Sequence, residues 1–240
     1  MLSRNEVKYI QSLSHKKQRQ QAGEFIAEGP KIFAELLRSG YIISKLYHLE
    51  SFDLHVAHRE IETRLITEEE LGRISQLETP NQVLAVVRMK TEIQVPVTEG
   101  WMLALDGIQD PGNLGTIIRI ADWFGIHTIL CSADTVELYN PKVIQSTMGS
   151  FVRTQLVYGD LSTLLRQYAL PVWGAVLNGS DIRSVQLPRK GILLIGNESQ
   201  GIRDHLSPFI THPVTIPRKG GAESLNAAVA TGILLFHLQS

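Results

Sequence analysis

The sequence predicts an α/β protein in two successive parts, the second organised around a mostly parallel sheet covered by helices. Apolar runs of strand length recur along the whole chain, from EFIAEG to GILLIG. Stretches of helical period separate them, as in GNLGTIIRIADWFG, where Leu114, Ile117, Ile118 and Ala121 follow helical spacing. A polar segment without apolar period, KTEIQVPVTEG, interrupts the alternation. Strands that alternate with helices bury both faces of a parallel sheet, which is why they are short and nearly all apolar.

The first part opens on a helical stretch, then EFIAEG as a short strand. PKIFAELLRSG is expected as a helix, with Pro30 near its start and Gly40 past its end. ISKLYHL continues as a strand. In TEEELGRISQ, Thr67 and Glu70 have the spacing of a capping box, in which each side chain satisfies an orphan amide of the other residue's turn. QVLAVVRM is the next strand. The segment 93–99, containing Pro96, is expected to link a first domain, 1–92, to a second, 100–240. There WMLALDGI, IHTILCS, TQLVYG, LPVWGAVL and GILLIG are expected as strands, with NPKVIQSTMGS and LSTLLRQYA among the intervening helices.

With 240 residues and 43% hydrophobic content the chain can bury a sizeable core, and neither a disordered nor a fibrous protein fits. The N-terminus lacks the apolar core of a signal peptide, and no apolar run approaches the roughly 18 residues of a membrane span. A cytoplasmic protein without membrane association is therefore expected. The lone cysteine, Cys131, excludes an intramolecular disulfide and a thiolate zinc cluster, and is expected inside a buried strand. Net charge is −1, so a nucleic-acid partner would have to be met by local clusters. Lys16, Lys17 and Arg19, with Arg4 and Lys8 upstream, form one; such runs are either solvated surface or phosphate contacts.

Ligand sites of open parallel sheets lie in loops beyond the carboxyl ends of the strands. Three loops there are unusual. DGIQDPGNLGTIIR carries Gly112 and Gly115 at a helix start, and its Asn113 and Arg119 share no helix face unless Asn113 precedes the helix. LLIGNESQGI has a tight turn with Gly196 and Gly201 around Glu198, readable as a helix N-terminus or as a ligand turn. IPRKGGAESLNAAVATGILLF passes through the Gly220–Gly221 pair, which permits a tight loop, into a helix apolar nearly all round. Its Ser224 is expected to cap that helix, with Glu223 favouring the positive end of the dipole, or to serve a site; the two roles are compatible.

In this order and spacing the three segments resemble the motifs of the SpoU (TrmH) family of RNA ribose 2′-O-methyltransferases, over about residues 98–240. The family pattern N-x-G-x-x-x-R falls on Asn113, Gly115 and Arg119; G-x-E-x-x-G falls on Gly196, Glu198 and Gly201; and I-P-x(6)-S-L-N falls on Ile216, Pro217, Ser224, Leu225 and Asn226. The resemblance implies a SPOUT domain with a deep trefoil knot, a rare exception to ordinary chain topology. It implies S-adenosylmethionine as cofactor, with no metal. Cofactor contacts are implied for Gly196, Asn197, Gly201, Ile216, Pro217, Ser224 and Leu225, and catalytic roles for Asn113, Arg119, Glu198, Ser224 and Asn226. Because a guanidinium stays protonated in proteins, Arg119 is expected to hold the target phosphate and stabilise the developing alkoxide, with Glu198 orienting or helping to neutralise it.

RQQAGEFIAEGPKIFAELLRSG looks like the L30e-like substrate-binding domain that many SpoU enzymes carry, on the step Phe25, Glu28 and Gly29. That would put Lys16, Lys17 and Arg19 where RNA phosphates need positioning. The implied partners are RNA, with ribosomal RNA favoured over tRNA, and a second copy of the chain whose cofactor site Arg119 would reach. Trp123, Phe124 and the all-round apolar final helix agree with a homodimer. A non-catalytic RNA-binding protein that keeps the fold is the alternative. A Rossmann-type oxidoreductase or kinase would need G-x-G-x-x-G after the first strand of either half, or G-x-x-x-x-G-K-[ST], and neither is present.

Overall fold

The computed structural model describes residues 1–53, 61–90, 100–186 and 189–239, so the expected linker 93–99 lies outside the described residues. By its contacts the chain forms two compact units, Met1–Glu92 with Glu137–Val152, and Ile93–Val136 with Arg153–Ser240.

The first unit contains α1 (Arg4–Ser12), α2 (Lys16–Ala22), β1 (Glu24–Glu28), α3 (Pro30–Leu37), β2 (Ile43–His48), β3 (Thr63–Leu65), α4 (Glu68–Ile74) and β4 (Val83–Arg88). Its mixed sheet has the order β1-β4-β2-β3, with β4 antiparallel to both neighbours. The Thr67–Glu70 capping box forms as its spacing predicts, and Ser3–Glu6 forms a second at α1. The opening helical stretch is two helices rather than one. Arg19 explains the break: its guanidinium donates to the carbonyls of Leu13 (2.8 Å) and Ser14 (2.7 Å), groups that a helix end leaves unsatisfied. A three-residue strand, β3, carries too little pattern to be foreseen.

NPKVIQSTMGS is helical, as α6 (Pro141–Ser146), but it packs against β1 in the first unit instead of covering the parallel sheet. Aromatic packing accounts for this: Phe25 of β1 meets Tyr139 and Phe151 at ring separations of 4.6 and 5.9 Å, and Tyr41 meets Phe151 at 5.4 Å.

The second unit contains β5 (Trp101–Asp106), α5 (Pro111–Trp123), β6 (Thr128–Ser132), β7 (Gln155–Gly159), α7 (Leu161–Tyr168), β8 (Val172–Asp181), β9 (Gly191–Gly196), β10 (His212–Thr215) and α8 (Ala227–Leu238). Six parallel strands run in the order β10-β8-β9-β5-β6-β7. Every residue of β5 and β6 is buried, as continuous apolar runs require when both faces are covered. Cys131 lies in β6, and burial pushes its thiol up from the ordinary value. At the centre of the sheet Asp106 pairs in register with Gly196, which brings the loops after β5 and β9 side by side. α8 packs on α5 and β9. No helix among the described residues is long and apolar enough to cross a membrane.

Candidate active site at the carboxyl end of the parallel sheet

Asp110 starts the site. Its carboxylate accepts from the Asn113 amide (2.8 Å) as the N-cap of α5, with Pro111 at the first helical position. Asn113 therefore lies inside the first helical turn, and Arg119, six residues on, falls about 120° around the axis from it. The side chain of Asn113 donates to Glu198 Oε1 (2.5 Å), and its Oδ1 accepts from Asn226 Nδ2 (2.7 Å). One amide thus links all three motif segments.

Asn226 uses its remaining polar atom locally, accepting from the amides of Ala228 (2.9 Å) and Val229 (3.2 Å). It is the N-cap of α8, which corrects the expectation that Ser224 caps this helix: α8 begins at Ala227, three residues beyond Ser224. Glu223 and Ser224 sit in the exposed loop before it.

The turn 196–201 is built by Asn197. Its Nδ2 donates to Gly107 O (2.8 Å), its Oδ1 accepts from Ser199 N (3.0 Å) and Gln200 N (3.2 Å), and its backbone exchanges two hydrogen bonds with Gly201. Gly201 has φ +69°, and a Cβ on Gly196 would lie 2.2 Å from the Gly201 carbonyl carbon. Only glycine fits at 196. Gly220 and Gly221 lie at a bend in the loop, but with open space around them among the described residues and no positive φ, so the bend there does not require glycine.

Beyond β10, residues 216–225 form a loop with no backbone–backbone hydrogen bonds among the described residues; one carbonyl, that of Ala222, accepts from Arg218 (3.2 Å). Ile216, Pro217, Ser224 and Leu225 lie on this stretch, which leaves a row of free peptide groups for a ligand. That row, and the closed turn beside Gly196, fit a nucleoside-bearing cofactor recognised mainly through backbone groups.

Sequence reasoning missed a brace. Asp106, 1% exposed at the end of β5, accepts from Arg203 N (2.9 Å), Nε (2.7 Å) and Nη2. Arg203 also reaches Asp134 beyond β6 (3.2 and 3.3 Å). The Asp106 carboxylate holds the guanidinium above its usual range, while the Ser132 hydroxyl, then Arg203, hold Asp134 below its own. The available signal was an acid closing an otherwise apolar strand, since a buried carboxylate needs a partner.

Arg119 stands apart. It is exposed, makes no hydrogen bond or ion pair among the described residues, and shares the outward stripe of α5 with Thr116 and Trp123. Glu198 meets Asn113 rather than Arg119, so the expectation that Glu198 orients or neutralises Arg119 within the chain is not met. In the first unit Lys16 and Lys17 are exposed, as phosphate contacts would be. Arg19 is not: it is 1% exposed and ion-paired to Glu137, because it closes the end of α1. Its place among RNA contacts is withdrawn.

A parallel α/β unit whose last helix packs on α5 and β9, with the three motifs joined by one amide, defines a SpoU-type nucleic-acid methylase. The SpoU rRNA Methylase family profile matches residues 100–236, and that of the MRM3-like substrate binding domain residues 4–85. The chain belongs to the SpoU rRNA methylase family and carries the substrate-binding domain ahead of it. It is 31% identical to the Bacillus subtilis 23S rRNA (guanosine(2553)-2′-O)-methyltransferase RlmP, over 97% of this chain and 95% of that one. Among solved structures it resembles a TrmH-family protein from Porphyromonas gingivalis (37% identity, TM-score 0.90, covering 100% and 98% of the two chains). An AdoMet-bound rRNA methyltransferase from Sinorhizobium meliloti is also similar (30% identity, TM-score 0.88, covering 99% and 96%).

Proposed function

We propose that the protein transfers a methyl group from S-adenosylmethionine to a ribose 2′-OH of ribosomal RNA. The observation that carries this reading is the hydrogen-bonded chain Glu198–Asn113–Asn226 beside a loop of free peptide groups.

When bound, the cofactor supplies an electrophilic methyl on a sulfonium. The chain must hold the ribose oxygen in line with it and assist loss of the hydroxyl proton. Gly196, Asn197, Gly201, Ile216, Pro217 and Leu225 would hold adenine and ribose, chiefly through backbone groups, and Ser224 would orient the nucleotide. Asn113 fixes one carboxylate oxygen of Glu198, and the other has no partner among the described residues. Glu198 is thereby suited to accept the 2′-OH proton, and Asn226 keeps Asn113 in the orientation that donates to it.

Arg119 carries a permanent charge for the target phosphate and the developing alkoxide, and it serves the site of a second copy. Supporting this, Arg119 shares its stripe with Trp123 (86% exposed), and α8, which packs on α5, exposes Val229, Ile233 and Phe236. A two-fold partner would cover this apolar face and bring one arginine to each opposite site. The trefoil knot belongs to the same reading: β9 lies between β8 and β5, and the terminal helix returns to pack on α5, β9 and the turn Ile182–Ser184. Lys16 and Lys17 would hold RNA phosphates in the first unit. The place of action is the cytoplasm, where ribosomal RNA is found.

Methyl-labelled cofactor, purified protein and ribosomal RNA, followed by digestion to nucleosides, test the reading. Label in a 2′-O-methylnucleoside is expected; label on a base, or none on RNA, would overturn it.

A further inference from the structure

The first unit contains a cleft of about 380 Å³, lined from both of its chain segments, that the methyl-transfer chemistry does not use. Glu28 is in its wall. The residue is only 5% exposed, and its two oxygens accept from the Ser75 hydroxyl and from Gln76 N (2.8 Å). A carboxylate offers about four lone-pair directions, so each oxygen keeps acceptor capacity after these bonds fix its plane. Burial pushes the Glu28 carboxyl up from its ordinary value, a cost that further N–H donors would offset.

Donors also line the cleft. Asn140 has its Oδ1 engaged by Lys142 N (2.9 Å), which leaves its Nδ2 to give, and the Gln145 side-chain amide makes no hydrogen bond among the described residues. Ile144, 1% exposed, adds an apolar surface, and the exposed Lys142 adds a cation. A planar ligand with two adjacent N–H donors beside a carbonyl acceptor, and a phosphate attached, complements this set. Among RNA bases only guanine has that edge, with N1–H and N2–H₂ next to O6.

We propose that this cleft binds an unpaired guanine nucleotide of the RNA substrate, with Glu28 accepting from the base, the Asn140 and Gln145 amides donating to O6, and Lys142 meeting its phosphate. The proposal rests on the RNA-methyltransferase reading. Unpaired bases are what proteins read in RNA, by hydrogen bonds to their Watson–Crick edges, so a substrate-binding domain is where such a contact sets specificity.

Titration of the full-length, ¹⁵N-labelled protein with GMP, AMP, CMP and UMP tests it. GMP is expected to shift the Gln76 backbone amide and the Asn140 and Gln145 side-chain amides, and to bind about tenfold more tightly than the other three. Glu28→Gln, which replaces an acceptor with a donor at the same volume, should remove that preference. Should this variant not fold, Gln145→Ala serves instead and should weaken GMP severalfold. Equal binding of all four nucleotides, or GMP shifts confined to residues of the second unit, would overturn the proposal. Methyl transfer separates the two readings: normal transfer without guanine preference overturns the cleft alone, and guanine preference without transfer overturns the enzyme alone.

Discussion

Asn226 donates to Asn113 across 113 positions of chain while its own Oδ1 caps α8, so a single side chain both starts the last helix and orients the amide that grips Glu198. Cap and link can be separated. Asn226→Asp keeps an acceptor for the Ala228 and Val229 amides, and its charge suits the helix N-terminus. It has no donor for Asn113 Oδ1, however, and Asn113 can satisfy it only by turning its amide away from Glu198. We expect a melting temperature within about 2 °C of the unaltered protein and a single-turnover rate reduced by about tenfold or more. Asn226→Ala should lose the activity and also about 1 kcal/mol of stability. An unimpaired rate in Asn226→Asp would show that the link has no part in catalysis.

The two glycine sites give opposite forecasts. Gly196→Ala would drive a methyl group into the Gly201 backbone at 2.2 Å, so the turn must open, and calorimetry should find no cofactor binding. Gly220→Ala meets nothing within 4 Å among the described residues and should keep cofactor affinity within about threefold. Retained binding in Gly196→Ala would mean that the turn does not shape the cofactor site.

Removing Arg203 leaves the buried Asp106 charge unpaired. Breaking a buried pair costs roughly 3–5 kcal/mol, and the partial exposure of Arg203 brings the expectation for Arg203→Ala to about 2 kcal/mol. Thermal melting should fall by about 4–8 °C. Asp134→Ala, at the half-exposed end of the brace, should fall by less than half of that. Equal losses would place the strength of the brace on the wrong carboxylate.

How legible all this was in the sequence depends on the residue. The central strands, the Thr67 capping box and buried Cys131 follow from apolar period and cap chemistry, which are local. Asn113, Glu198 and Asn226 were recognisable as motif members, but their hydrogen-bonded chain spans segments far apart and no spacing reveals it. Arg19 misled for a related reason. In sequence it belongs to a basic run, and only the packing of Glu137 and the end of α1 makes it structural. Ser224 misled because Asn226, two positions later, is an equally good cap and the helix starts there. Asp106 and Arg203 form a contact 97 positions apart, beyond the reach of any local pattern.

A shared active site can be tested by mixing inactive chains. Arg119→Ala and Asn226→Ala should each be nearly inactive alone. If Arg119 serves the partner's site, random exchange makes heterodimers of half the molecules, each with one site of two intact, and activity should return to about a quarter of the unaltered level. No recovery after proven subunit exchange, or a monomer by light scattering at micromolar concentration, would contradict the shared site.

The central claim, ribose 2′-O-methylation of ribosomal RNA, is tested most directly by mapping 2′-O-methyl groups across the ribosomal RNA of cells with and without the gene. The account predicts loss of a 2′-O-methyl mark from ribosomal RNA, restored by the unaltered protein and not by Asn113→Ala. An unchanged ribosomal RNA map together with a mark lost from tRNA, or a full set of marks in both, would contradict it.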